Sequence, residues 1–256
     1  GGIQMSKNVD TDVQMRKRNM KLFPTYKKLA WDYLFYYSID FLFLTQIKNI
    51  SAANVVLANS IKYLFGIFIQ IPANIIVEFL GRRNSIILGN ILNCFYILMF
   101  MMTGNLFDLI LAKFISSLAV SIKDIAEPGL LNASIPPSKY KSNIFAKINA
   151  RGASGFYILS AISKIIGGFL FEINGYIPMI LCLITLIFVS IVSMLYIEPI
   201  KKSSSKSNAS MQIKKQMKDI QEGFQFILKS ERLKALILSA SLIASFLSIM
   251  ASYRTS

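Results

Sequence analysis

Several ionisable residues lie inside long apolar stretches of this chain of 256 residues, where a charge is costly. They are Asp40, Lys62, Lys113, Lys123, Asp124, Glu127 and Lys164. A charged side chain within a bilayer costs several kcal/mol unless it faces a bundle interior or water. Each residue is therefore a candidate for binding a solute or moving an ion. The alternative is that these charges neutralise one another and only fix helix packing.

The fourth apolar run, residues 107–132, holds the densest group of these charges. Steps of four and three residues place Lys113, Asp124 and Glu127 on one helix face, with Ser117 between them. Lys123 and Glu127 are four residues apart, a spacing that allows them to pair across one helical turn. The chain contains no histidine, so any proton would be carried by carboxylates, and the candidates are Asp40, Asp124 and Glu127.

These ionisable residues lie within apolar runs that are long enough to span a membrane. A spanning helix needs about 20 mostly apolar residues. The chain is 54% hydrophobic and 16% charged, with a mean hydropathy of +0.52. These values predict an all-α integral membrane protein with about seven transmembrane helices. The runs are residues 29–47, 54–80, 84–103, 107–132, 146–171, 177–197 and 233–252.

Lysine and arginine are concentrated in four segments between these runs. The segments are residues 1–28, 81–84, 139–151 and 198–234, and all four fall on one side if the spans alternate. Basic loops stay in the cytoplasm. This distribution predicts a multi-pass protein of the plasma membrane with a cytoplasmic N-terminus. The same distribution argues against nucleic-acid binding as the reason for the net charge of +15.

The same features divide the chain into parts. Residues 1–28 are predicted to form a cytoplasmic arm, residues 29–197 a bundle of six spans, and residues 233–256 the first span of a further bundle. The basic linker between them, residues 198–232, contains an apolar stripe at helical spacing. This stripe predicts an amphipathic helix on the inner membrane surface, formed by Ile213, Met217, Ile220, Phe224 and Ile227.

The sequence lacks several motifs that are typical of enzymes. It has no histidine, and its two cysteines, Cys94 and Cys182, lie singly in apolar runs where a thiol behaves as a small hydrophobic group. A glycine-rich loop of the nucleotide-binding type G-x-x-x-x-G-K-[ST] is absent from the sequence. We therefore expect no cofactor, no metal site and no enzymatic activity.

The stretch "EFLGRRNSII", residues 78–87, forms the hinge between the second and third spans. Gly81 allows a sharp reversal of the chain. Arg82 and Arg83 hold the turn outside the hydrocarbon, on the cytoplasmic side. Glu78 lies four residues before Arg82 and is spaced to pair with it.

This hinge resembles the signature of the major facilitator superfamily, G-x-L-A-D-R-x-G-R-R/K followed by a leucine three residues later. The positions that match or carry a similar residue are Ile76, Glu78, Gly81, Arg82, Arg83 and Ile86, whereas Asn74 and Phe79 depart from the signature. The stretch "RGASGFYILSAISKIIGGFLFEINGYIPMI" is similar to the fifth span of that family. "YIEPIKK" resembles its exit from the sixth span.

The resemblance implies a secondary transporter of small solutes that works by alternating access, with a six-span bundle of two inverted repeats. We expect proton coupling, and efflux is slightly favoured over uptake. Ser163 and Lys164 replace the Gly-Pro pair that exporters carry before two glycines, and a lysine facing the cavity would favour an anionic or zwitterionic solute.

Complete carriers of that family have twelve spans. We therefore expect this chain to be part of a longer carrier, with the missing C-terminal half or a second copy as its partner. The alternative is a truncated, non-transporting half-carrier or a membrane scaffold.

Overall fold

The computed structural model describes residues 2–198, 229–232, 235 and 239. Within these residues the chain is mostly helical and contains no strand, as the all-α prediction requires. The helices are α1 (Gly2–Ala30), α2 (Asp40–Leu42), α3 (Ala52–Leu80), α4 (Arg82–Met102), α5 (Leu106–Ser134), α6 (Lys141–Ile173) and α7 (Ile177–Met194), with a π-helical segment at Phe43–Ile47.

The chain divides into a compact unit, Gly1–Lys202, and a second unit, Ser203–Ser256. The predicted amphipathic helix of the linker lies outside the described residues, and so does most of the predicted seventh span. Both stay predictions.

Three helices of the described part are long and apolar enough to cross a membrane: α4, α6 and α7. Helix α3 is a fourth candidate as a broken span, because its halves Ala52–Gly66 and Phe68–Leu80 meet at 52°. Pro72 has no N–H to donate to the carbonyl of Phe68, which accounts for a bend at this place. Helix α5 does not meet the same test, because charged residues recur along it.

The structure differs from the prediction at the first span, residues 29–47, which does not form one continuous helix. Helix α1 ends at Ala30, and turns follow as far as α2. The carboxylate of Asp32 accepts hydrogen bonds from the backbone N–H of Tyr33 and the hydroxyl of Tyr37, at 2.9 and 2.8 Å. Such local bonds compete with helix formation. Phe35 has a φ of 63°, which is incompatible with a right-handed helix.

Two apolar clusters pack the bundle, one at each end of α4 and α5. The cluster at the hinge end contains Phe23, Tyr26, Ile69, Ala73, Ile86, Ala126 and Leu130. The opposite cluster contains Tyr36, Phe43, Tyr96, Phe100, Leu109 and Ala112. Buried polar residues lie at the level between them, including Asn90 and Asn93 of α4.

Small residues bring α4 and α5 together. Ala112, Ala119 and Ala126 recur every seven residues along α5, and none of them is exposed to solvent. Small side chains on one face let two helix backbones approach closely. The α4–α5 pair is therefore closely packed, and it carries buried polar residues between the two apolar clusters.

Gly81 forms the hinge between α3 and α4. Its φ of 81° and ψ of 167° define a conformation that is essentially restricted to glycine. A Cβ atom at this position would also collide with the carboxylate of Glu198. The structure thus has a break between two helices at Gly81, where the sequence predicts a reversal.

We expect Gly81→Ala to lower the free energy of unfolding by about 1–3 kcal/mol, because alanine does not tolerate this backbone conformation. The midpoint of thermal unfolding of the full chain in detergent measures the effect. Gly168→Ala is the matched control, since a Cβ at Gly168 meets nothing within 4 Å. Equal midpoints for the two variants would contradict this account of the hinge.

Candidate functional site

Glu127 is the centre of a buried polar network between α1 and α5. Its side chain is 2% exposed. One carboxylate oxygen is in close contact with the ammonium group of Lys27. The other accepts a hydrogen bond of 2.9 Å from the hydroxyl of Tyr26 and lies 3.6 Å from Nζ of Lys123. Both oxygens of this buried carboxylate are therefore compensated, as a charge removed from water requires.

The network extends to α4 and to the end of α1. Lys123 donates a hydrogen bond of 2.9 Å to the carbonyl of Ala30, the last residue of α1, where a cation also interacts favourably with the helix dipole. Asn90 of α4 donates to the hydroxyl of Tyr26 at 3.1 Å. The stem of Lys123 runs directly over Gly89, where a Cβ atom would collide with it. Three helices therefore contribute to one set of linked polar groups.

The predicted pairing of Lys123 with Glu127 is confirmed by this geometry. Sequence reasoning missed Lys27 and Tyr26, because residues 1–28 were assigned to a cytoplasmic arm outside the bundle. A signal was present in the sequence: Phe23, Tyr26 and Ala30 follow helical spacing, and all three are at most 2% exposed. The arm continues the apolar face of the bundle.

A small cavity of about 30 Å³ lies beside the Glu127 network. Two lysines and three acids contribute to its lining: Lys27, Lys123, Asp32, Asp124 and Glu127. A cavity of this size holds roughly one or two water molecules. It can therefore hydrate Glu127 and provide a small polar space bounded by charges of both signs. Asp32 is a further acid that the sequence analysis did not single out.

Lys113 belongs to a different cluster, at the other end of α5. Its ammonium group donates a hydrogen bond of 3.2 Å to the hydroxyl of Tyr36 and lies 5.6 Å from the centre of the Phe100 ring. Lys113 is 3% exposed, so these aromatic contacts replace water around the cation. Asp40 is within electrostatic reach of both Lys113 and Lys62.

The structure therefore separates the predicted site residues into two groups. Lys113 and Glu127 are fourteen positions apart on α5, which corresponds to about 21 Å along the helix axis. Asp124 is exposed and lines the small cavity, whereas Lys123 is buried. Lys164 is exposed on α6, and within the described residues it belongs to neither cluster.

Glu198 connects the end of α7 to the hinge. Its two carboxylate oxygens accept hydrogen bonds from the backbone N–H groups of Arg82 and Arg83, at 2.9 and 2.7 Å. These N–H groups open α4 and have no partner within the helix. An acid at this place also interacts favourably with the helix dipole. Sequence reasoning did not predict this contact.

The two hinge arginines reach back to neighbouring helices. The guanidinium group of Arg82 donates to the carbonyl of Gly129 in α5 at 2.8 Å, and that of Arg83 donates to the carbonyl of Met194 at the end of α7 at 2.9 Å. The hinge thus ties α4 to α5 and α7. The pairing of Glu78 with Arg82 stays a prediction.

Comparison with known proteins identifies a family. The family model described as the Major Facilitator Superfamily matches residues 32–256. A search of curated proteins found no match.

We expect Lys27→Met to lower the free energy of unfolding by about 2 kcal/mol, because it leaves one oxygen of a buried carboxylate without its cation. Adding Glu127→Gln should recover part of this loss, since the uncompensated charge is then removed. Thermal unfolding of the full chain in detergent measures both effects. Lys21→Met, at an exposed position of α1, is the control. A double variant less stable than Lys27→Met would refute the pairing.

We expect Glu198→Gln to lower the free energy of unfolding by about 1 kcal/mol, because a neutral amide interacts less well with the start of α4. The matched substitution Glu172→Gln lies at an exposed position of α6. The two unfolding midpoints are compared in one buffer. The same midpoint for both variants would show that Glu198 does not stabilise α4 as a charged cap.

Proposed function

Because the chain belongs to the major facilitator superfamily and is a secondary transporter in the general sense of that family, we propose that it couples movement of a small solute to protons through Glu127 and Asp124. Members of this family are generally not enzymes. The observation that carries the proposal is Glu127, a fully buried carboxylate held by lysines from two helices.

The free-energy cost of burying these charges supports a functional role for them. A buried ion pair is weak evidence for stability, because removing the charges from water offsets most of their attraction. Ionisable residues at membrane depth are functional candidates by default. Protonation of Glu127 would weaken its hold on Lys27, which is on α1, while Lys123 remains on the same helix as Glu127. Proton binding would thereby loosen α1 from α5.

The small cavity has room for the water that such a proton transfer needs. The exposed Asp124 and the buried Glu127 both line the cavity. A proton arriving at Asp124 would reach Glu127 through one or two waters. Asp40 forms a second candidate acid beside Lys113, in the cluster at the opposite end of α5.

The solute is proposed to be anionic or zwitterionic, with efflux slightly favoured over uptake. Lys164 on α6, which is exposed, supports this charge preference. Lys27 and Lys123 beside Asp32 and Asp124 present both charge signs to one cavity. If neutralising Lys164 by Lys164→Gln leaves substrate preference unchanged, this assignment is wrong.

The protein is proposed to be a multi-pass component of the plasma membrane with the N-terminus and the hinge in the cytoplasm. The support is the distribution of lysine and arginine, which collects on one side of the predicted spans. Transport by alternating access further requires a second bundle facing the first. The remainder of a longer carrier or a second copy of the chain would supply it.

We expect Glu127→Gln to abolish solute-driven proton movement. Proteoliposomes containing the full chain and an internal pH indicator are challenged with zwitterionic amino acids, with organic anions and with ethidium as a cationic probe. The wild type should acidify or alkalinise the lumen with a zwitterion or an anion. Glu127→Gln removes the titratable group and should give no pH change while the protein still incorporates.

Asp108→Asn is the matched control, because Asp108 is an acid of the same helix that lies in its first turn, remote from the network. This variant should behave as the wild type. Proton movement that persists in Glu127→Gln would exclude Glu127 as the coupling acid. A response to ethidium alone would exclude the proposed solute class.

A further inference from the structure

A second cavity, wide open to the surface, lies at the hinge end of the bundle, outside the Glu127 network. Its volume is about 340 Å³. Its lining consists of Arg18 of α1, Arg83 of α4, Glu198 and residues 194–197 at the end of α7 and just after it. The proposed transport mechanism assigns this cavity no role.

The wall of the cavity is held in place by hydrogen bonds to Asn19, which is 1% exposed. The side chain of Asn19 donates to the carbonyl of Ile197 at 2.9 Å and accepts from its N–H at 3.0 Å. Asn19 also donates to the hydroxyl of Ser134 in α5 at 3.1 Å. A wall fixed in this way loses little freedom when a ligand binds.

The charges that line the cavity favour an anion. The carboxylate of Glu198 is already bound by two backbone N–H groups at the start of α4. Arg83 uses one terminal nitrogen for the carbonyl of Met194, and its Nε is buried with no hydrogen-bond partner among the described residues. Arg18 adds a second guanidinium group at an exposed position. Two guanidinium groups beside one carboxylate that is already bound give the cavity a positive lining, which favours an anion.

Phosphate is the anion that fits this arrangement best. Guanidinium groups present planar pairs of donors that match phosphate oxygens. The hinge arginines cannot enter hydrocarbon cheaply, so we expect the cavity to lie at the level of the lipid headgroups. Its volume exceeds that of one phosphate and leaves room for the adjoining part of a headgroup. We propose that Arg18 and Arg83 bind a phosphate group in this cavity, supplied by a phospholipid headgroup or by free phosphate.

Two probes distinguish the sources of the phosphate group. Equilibrium dialysis of the full chain in detergent with radiolabelled inorganic phosphate measures binding of the free anion. Native mass spectrometry of the same protein with added phosphatidylglycerol measures binding of a headgroup. Saturable binding of either probe is expected, and binding of only one of them identifies the source.

Arg18→Gln tests the assignment, because it removes an exposed guanidinium group from the cavity. We expect it to weaken binding of the bound probe about tenfold, the loss typical of one charge-assisted hydrogen bond. Lys17→Gln removes the same charge from the neighbouring exposed position and should leave binding unchanged. An unchanged unfolding midpoint verifies that each variant is folded.

The proposal is overturned if the wild type binds neither probe saturably. It is also overturned if Arg18→Gln and Lys17→Gln weaken binding equally, since that result describes a diffuse basic surface. Neither outcome depends on solute transport, so the result is separate from that of the proton-coupling experiment.

Discussion

The carboxylate of Glu127 can remain charged inside the bundle only because cations from two helices reach it. Lys123 belongs to its own helix, whereas Lys27 comes from α1, a hundred residues away in the sequence. This requirement accounts for neighbouring features. Gly89 leaves room for the stem of Lys123, and Tyr26 and Asn90 complete the hydrogen bonding. Removing one partner is strongly destabilising, because the remaining buried charge is then no longer compensated for its loss of water.

At the hinge, side chains also provide hydrogen-bond partners for the unpaired backbone groups at the ends of two helices. Four backbone N–H groups at the start of α4 lack helical partners, and so do the last carbonyls of α7. Glu198 supplies acceptors to the first set, and Arg83 supplies a donor to the second. Each helix end thus receives a side chain from the neighbourhood of the other. This reciprocal arrangement links the ends of α4 and α7 without a covalent bond.

Local geometry explains what could be predicted from the sequence. The pairing of Lys123 with Glu127 depends only on helical spacing, and the reversal at Gly81 depends on the conformational freedom of one residue. Lys27 and Glu198 could not be assigned in this way, because their partners are distant in the sequence and depend on how the helices pack. At residues 29–47, average hydropathy predicted a helix, but the side chain of Asp32 bonds to nearby donors and the helix ends at Ala30. The linker helix and the seventh span stay predictions from the sequence.

The contact between Gly89 and Lys123 also constrains how the sequence can evolve. A side chain at position 89 would occupy the space through which the lysine stem passes. A larger residue there becomes tolerable only after position 123 has become shorter, and a shortened position 123 leaves Glu127 with one cation fewer. The three positions should therefore change together among homologues, and in a preferred order. The effect of a single substitution at position 89 on stability should depend strongly on which residues occupy positions 123 and 127.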